Sequence, residues 1–213
     1  MFKWVRNLFG RSGTPPSSSH QNMSIEDLLR APCKFNTKAL TGLAHSASES
    51  EFVETVTCMS LVGSSIQNGE VLSLTHKGGA VASTRTMLFK SSDVSDIINE
   101  TPLSETIFAL RKPLSIDRPS SVTHLNVGRA VENDIRIVDF AISRFHARIT
   151  ISLGACAIAD LKSRNGTRIN GEALSTLPRE LQDGDTIAFG RYTFTFMHPG
   201  SLYQRLRGVT FTE

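Results

Sequence analysis

Four short clusters between Val127 and Gly171 hold the residues best suited to chemistry: Gly128-Arg129, Ser143-Arg144-Phe145-His146, Arg164-Asn165-Gly166-Thr167 and Asn170-Gly171. An arginine fork matches the oxygens of a phosphate or carboxylate. Arg129, Arg144 and Arg164 come from three separate clusters, so together they can make an anion pocket. Ser143 adds a hydroxyl, and the amide of Asn165 offers both a donor and an acceptor. Gly128 and Gly166 permit sharp turns beside these side chains. Taken singly, each residue has an ordinary reading: Arg129 as a surface ion pair of small worth, Asn165-Gly166 as a hairpin turn. The pair Ser143 and His146 also invites a hydrolase reading. Nucleophilic catalysis requires an imidazole on the hydroxyl, a third group to orient it, and an oxyanion site. No Gly-x-Ser-x-Gly surrounds Ser143, and the hydrolase reading is set aside.

The elements that position these clusters read as strands. Short apolar or alternating runs fall at 106–110, 122–127, 135–138, 147–152, 156–160, 167–169, 186–189 and 192–197, separated by Asn133-Asp134, Leu153-Gly154, Asn170-Gly171 and Asp183-Gly184. Many short strands with turn signals at this pitch predict an all-β, antiparallel β-sandwich in the C-terminal half. Asn170-Gly171 suits a two-residue hairpin, since both positions tolerate positive φ. In the last run Phe194 and Phe196 alternate with Thr193 and Thr195, so one face points to a core. Each chemistry-bearing cluster falls where the sandwich has a loop.

The order, spacing and residue types of these clusters resemble the forkhead-associated (FHA) domain, over roughly 106–199. The resemblance implies an FHA/SMAD-like sandwich that reads phosphothreonine in a partner protein. It also implies a role for each residue. Arg129 contacts the phosphate, the Ser143 hydroxyl donates to it, and Arg144 and Arg164 add charge. Asn165 bonds the peptide main chain on either side of the phosphothreonine. His146 is architectural and holds the binding loops together, while Gly128, Gly166, Thr167 and Asn170 shape and brace them. The family often carries Ser or Thr where Arg164 stands, which makes its role the least fixed. Preference for threonine over serine then rests on a small apolar niche for one methyl group, worth roughly 1–3 kcal/mol. The implied function is a non-enzymatic adaptor of bacterial type in Ser/Thr kinase signalling, with no cofactor. Two alternatives use the same fold: a phosphate-independent scaffold, and a membrane-peripheral assembly protein.

Composition narrows the remaining classes. The chain has 213 residues, with 39% hydrophobic and 20% charged residues, ordinary for a soluble protein. A net charge of +3, with Lys and Arg scattered, does not point to nucleic acid. There is no P-loop and no Gly-x-Gly-x-x-Gly. Cys33, Cys58 and Cys156 are odd in number and far from one another and from His partners, against a zinc site and in keeping with a reducing, cytoplasmic setting. Cys156 reads as a small buried hydrophobe.

The expected domains are a flexible tail at 1–23, a region of unknown fold at 24–103, the FHA domain at 104–199 and a C-terminal extension at 200–213. Within the tail, residues 1–11 can form a short basic amphipathic helix suited to a membrane interface, followed by a Pro/Ser-rich linker. Residues 25–30 read as a helical turn with Ser24 as N-cap. Residues 52–62 and 71–75 look strand-like around a turn at 67–70, and 92–99 suits a short helix. Thr55, Thr57, Thr84 and Thr86 are candidates for phosphorylation and docking in the chain's own pocket.

Overall fold

The computed structural model describes residues 23–64, 66–67, 70–71, 106–112 and 122–208. The chain enters through a 3-10 turn, Ile25–Leu28, whose start is held by Ser24 N–H donating to the Asp27 carboxylate at 2.9 Å. Two short strands, β1 (Leu29–Ala31) and β2 (Lys34–Phe35), pair antiparallel. Helix α1 (Thr37–Ser46) is capped by the Asn36 side chain, which accepts from Ala39 N–H at 3.2 Å. Helix α2 (Glu49–Thr55) begins with a capping box in which Ser48 N–H donates to Glu51 Oε2 at 2.8 Å. Residues 52–55 are therefore helical, where the β-branched run from Phe52 onward predicts a strand. The reciprocal Ser48–Glu51 cap overrides that local propensity.

The strands that follow are β3 (Ser60–Gly63), β4 (Ile66–Gln67), β5 (Glu70–Val71), β6 (Ile107–Ala109), β7 (Val122–Gly128), β8 (Ile135–Arg136) and β9 (Ala147–Ser152). Then come β10 (Ala155–Asp160), β11 (Thr167–Ile169), β12 (Glu172–Ala173), β13 (Arg179–Glu180), β14 (Thr186–Phe189) and β15 (Tyr192–Met197). The last described element is helix α3 (Pro199–Arg207). An eight-stranded sheet runs β1-β2-β6-β3-β15-β14-β11-β12, and a five-stranded sheet runs β13-β10-β9-β7-β8. Among the described residues all pairs are antiparallel except β7 with β8, which is parallel, so the second sheet is mixed. β4 and β5 pair antiparallel, Ile66 opposite Val71.

β3 and β6 of the large sheet are buried on both faces, whereas β14 and β15 alternate between inward and outward residues. Leu61, Phe108, Phe194 and Phe196 point between the sheets, against Leu125, Val127, Ile149 and Ile158. Val62, Ile107 and Met197 point the other way, into a second core with Leu40, Leu43, Phe52, Leu202 and Leu206 of the three helices. The molecule is thus a β-sandwich with a helical layer on the outer face of its larger sheet. Tyr203 ties that layer together: its ring lies 5.3 Å from Phe52, and its hydroxyl donates to Ala47 C=O at 3.1 Å.

The region at 24–103, whose fold the sequence leaves open, contributes β3 to the large sheet, where it sits between β6 and β15 with Phe196 opposite Leu61. The expected extension at 200–213 begins as a helix that packs on the same sheet. The amphipathic stretch 1–11, the linker, Thr84, Thr86 and the helix expected at 92–99 lie outside the described residues. Among the described residues, no helix is long and apolar enough to cross a membrane.

Candidate anion-binding site

Three loops meet at one end of the sandwich: the one leaving β7, the one entering β9, and the one leaving β10. Backbone hydrogen bonds zip the first to the second, Arg129 N–H to Ser143 C=O at 3.0 Å and Ala130 N–H to Arg144 C=O at 3.2 Å. The Asn133 amide reinforces the seam by donating to Ala130 C=O at 2.9 Å and Arg144 C=O at 2.7 Å. Gly128 makes this closeness possible. A Cβ there would lie 2.3 Å from the Arg144 carbonyl oxygen. The residue is needed for the close approach of the two loops.

The third loop is attached through Ser143, whose Oγ accepts from Arg164 N–H at 2.9 Å. With its lone pair so engaged, the hydroxyl has its proton to donate outward. Asn165 Nδ2 donates to Ala141 C=O at 2.7 Å, which spends one amide proton on the scaffold and leaves the acceptor oxygen for a ligand. Gly166 has φ +73°, the left-handed region, which turns the chain into β11. Ser143 is half-buried, while Arg129, Arg144, Arg164 and Asn165 are exposed around it. None of the three guanidinium groups has a carboxylate partner among the described residues. Three arginines on loops stitched together by Ser143, without an ion-pair partner among the described residues, form a cluster of positive charge suited to an anion.

His146 is fully buried beneath these loops. Its Nδ1 accepts from Ser143 N–H at 3.2 Å and its Nε2 faces Gly166 C=O at 3.2 Å. An acceptor on one nitrogen and a donor on the other define the neutral tautomer with the proton on Nε2. Burial holds its pKa below the ordinary value near 6.5, against the opposing pull of Gly166 and Asp160. The ring also meets Phe189 edge-on at 5.8 Å. Its nitrogens serve backbone groups and not the Ser143 hydroxyl, so the geometry is that of a brace and not of a catalytic dyad.

Several supporting residues went unnoticed in the sequence. Asp160 accepts from Ser163 N–H at 2.9 Å, Ser163 Oγ at 2.6 Å and the buried Thr167 Oγ1 at 2.7 Å. Burial works against its charge, but these hydrogen bonds prevail and lower its pKa. Asp160 therefore shapes the loop that presents Arg164 and Asn165; an Asp followed three residues on by Ser is the turn signal that could have revealed it. Asp139 plays the same part for the loop entering β9. It accepts from Ala141 N–H at 2.6 Å, from Tyr192 Oη at 2.6 Å and from Arg191. Here too, burial opposes the charge and the donors outweigh it, so the pKa is lowered.

Asn170 stands elsewhere. Its Nδ2 donates to Asp185 at 2.7 Å and its Oδ1 accepts from Thr186 N–H at 2.8 Å. It ties the β11–β12 turn to β14, at the end of β11 away from Thr167, and does not brace the three loops. The cysteines are buried, and burial pushes Cys58 and Cys156 up to about 12. Thr55 donates its hydroxyl to Glu51 C=O at 2.8 Å within α2.

The family model described as "FHA domain" matches residues 125–190, from β7 to the turn between β14 and β15. An oxoglutarate dehydrogenase inhibitor of Corynebacterium efficiens is 34% identical over 82 residues, covering 38% of this chain and 54% of the relative. The glycogen accumulation regulator GarA of Mycolicibacterium smegmatis is 29% identical over 82 residues, covering 38% of this chain and 48% of the relative. This chain thus spans about half the length of each. The solved FHA domain of an Arabidopsis thaliana protein is 32% identical, covers 45% of this chain and 75% of that one, and has a TM-score of 0.37.

Proposed function

Because this chain carries a forkhead-associated domain, we propose that it is an adaptor which captures a threonine-phosphorylated segment of a partner protein in a Ser/Thr kinase pathway and performs no catalysis of its own. One observation carries the reading: Arg129, Arg144 and Arg164 are held on three loops around Ser143 with no carboxylate to neutralise them among the described residues. A phosphate dianion supplies the missing charge. The Arg129 guanidinium and the Ser143 hydroxyl take its oxygens, and Asn165 holds the peptide main chain. The corynebacterial and mycobacterial relatives are by name an inhibitor and a regulator, which fits a binding module better than an enzyme.

The test is an array of phosphothreonine peptides, with phosphoserine and unphosphorylated copies, probed with the full chain. Phosphothreonine-selective capture is expected. Capture that ignores phosphate would replace this reading with the scaffold alternative.

A further inference from the structure

Phe140 is a large aromatic left 60% exposed, which is unusual enough to ask what holds it and what it does. Its backbone is fixed. The preceding Asp139 is clamped by Tyr192 and Arg191, and its carbonyl accepts from Ile142 N–H at 3.0 Å. The following Ala141 donates its N–H to Asp139 at 2.6 Å and receives the Asn165 amide at 2.7 Å. An exposed ring therefore stands on a turn pinned at both flanks. The Arg129 guanidinium lies over that ring, 5.8 Å from its centroid, within the range of a cation–π contact.

An arginine anchored only through its backbone samples many rotamers in water, and ordering it on ligand binding costs affinity. A ring face beside the guanidinium restricts that sampling without neutralising the charge, which a carboxylate partner would do. We propose that Phe140 is a positioning residue that preorganises Arg129 for the phosphate. The inference rests on the reading of Arg129 as the phosphate contact. Phe140 acts through Arg129, and its effect needs a π face and not apolar bulk alone.

The experiment measures the dissociation constant of the tightest phosphothreonine peptide from the array for the full chain and for Phe140→Ala, Phe140→Leu, Phe140→Trp, Arg129→Ala and the double variant Arg129→Ala/Phe140→Ala. An exposed cation–π contact predicts a loss of about two- to fivefold for Phe140→Ala. Phe140→Leu is expected to lose as much, and Phe140→Trp to bind like the native chain. The double variant is expected to bind no more weakly than Arg129→Ala, since the two residues act as one unit. Native affinity in Phe140→Ala or in Phe140→Leu overturns the proposal while leaving the phosphate reading intact. A further loss in the double variant overturns it as well, because Phe140 then touches the peptide directly. If Arg129→Ala itself binds as tightly as the native chain, the phosphate reading fails and this inference falls with it.

Discussion

At the scale of single residues the three loops are held in place by groups other than the arginines they carry. Gly128 is the sharpest case. Any Cβ must displace the Arg144 carbonyl from 2.3 Å, so Gly128→Ala is expected to cost about 1–3 kcal/mol of stability by overpacking and to move Arg129 with it. A lowered thermal midpoint together with weakened peptide binding checks this; loss of neither would mean that the seam can open without consequence. His146 gives a pH signature. The folded protein keeps it neutral with a pKa below 6.5, whereas the unfolded chain takes up a proton as pH falls through that value. The unfolded state then binds more protons, and stability declines as pH drops below about 6.5. Asp139 and Asp160, also lowered in the fold, extend the decline below their ordinary 3.8. Thermal denaturation between pH 7 and pH 5 is expected to show a falling midpoint that flattens in His146→Gln. An equal slope in both proteins would place the titration elsewhere. The chemistry-bearing residues were legible because Arg, Ser, His and Asn stood in loops at telling intervals. Asp160, Asp139 and the packing role of Gly128 were not, since their work depends on neighbours far away in sequence.

At the scale of elements, β7, β9, β10, β11, β14 and β15 were readable from short apolar or alternating runs, as in Phe194 and Phe196 against Thr193 and Thr195, whereas β12 and β13, two exposed residues each, carry no such pattern. The N-terminal region was readable only in part. β6 falls within the strand-like run at 106–110 and β3 overlaps the end of the run at 52–62, but both are buried on both faces, so no period-two pattern separates β3 from the helix before it or shows which sheet the two strands join. Helices α1 and α2 sit in a stretch rich in Ser and Thr, where the Ser48–Glu51 cap is the one clear signal. α3 had its own markers in Pro199 at the start and Gly208 in the left-handed region at the end. Leu206 is fully buried in the core beneath this helix, and Leu206→Ala is expected to cost about 2–5 kcal/mol, seen as a lower denaturation midpoint. A fragment 104–213 lacks β3 and the helices before it, leaving β6 and β15 without the strand between them. Circular dichroism is expected to show that fragment unfolded or aggregated; a cooperative native-like transition would refute the single-sheet account.

At the scale of the whole molecule, one sandwich carries two loads. Its outer face is closed by helices, and one end gathers three loops into a positive site. The outer helices pack on the large sheet through Val62, Ile107 and Met197, and β11, β14 and β15 of the same sheet contribute Ile169, Ile187, Phe189, Phe194 and Phe196 to the main core. Attraction between the arginine cluster and a phosphopeptide is screened by salt, so affinity is expected to fall as ionic strength rises. A binding constant indifferent to salt would argue for a mainly apolar contact. The central claim is that Arg129 meets phosphate, and isothermal titration calorimetry of a phosphothreonine peptide against the full chain and Arg129→Ala tests it most directly. Loss of one charge-assisted contact worth about 1.5–3 kcal/mol predicts a roughly ten- to hundredfold weaker binding in the variant. Equal affinity in the two proteins would contradict the account.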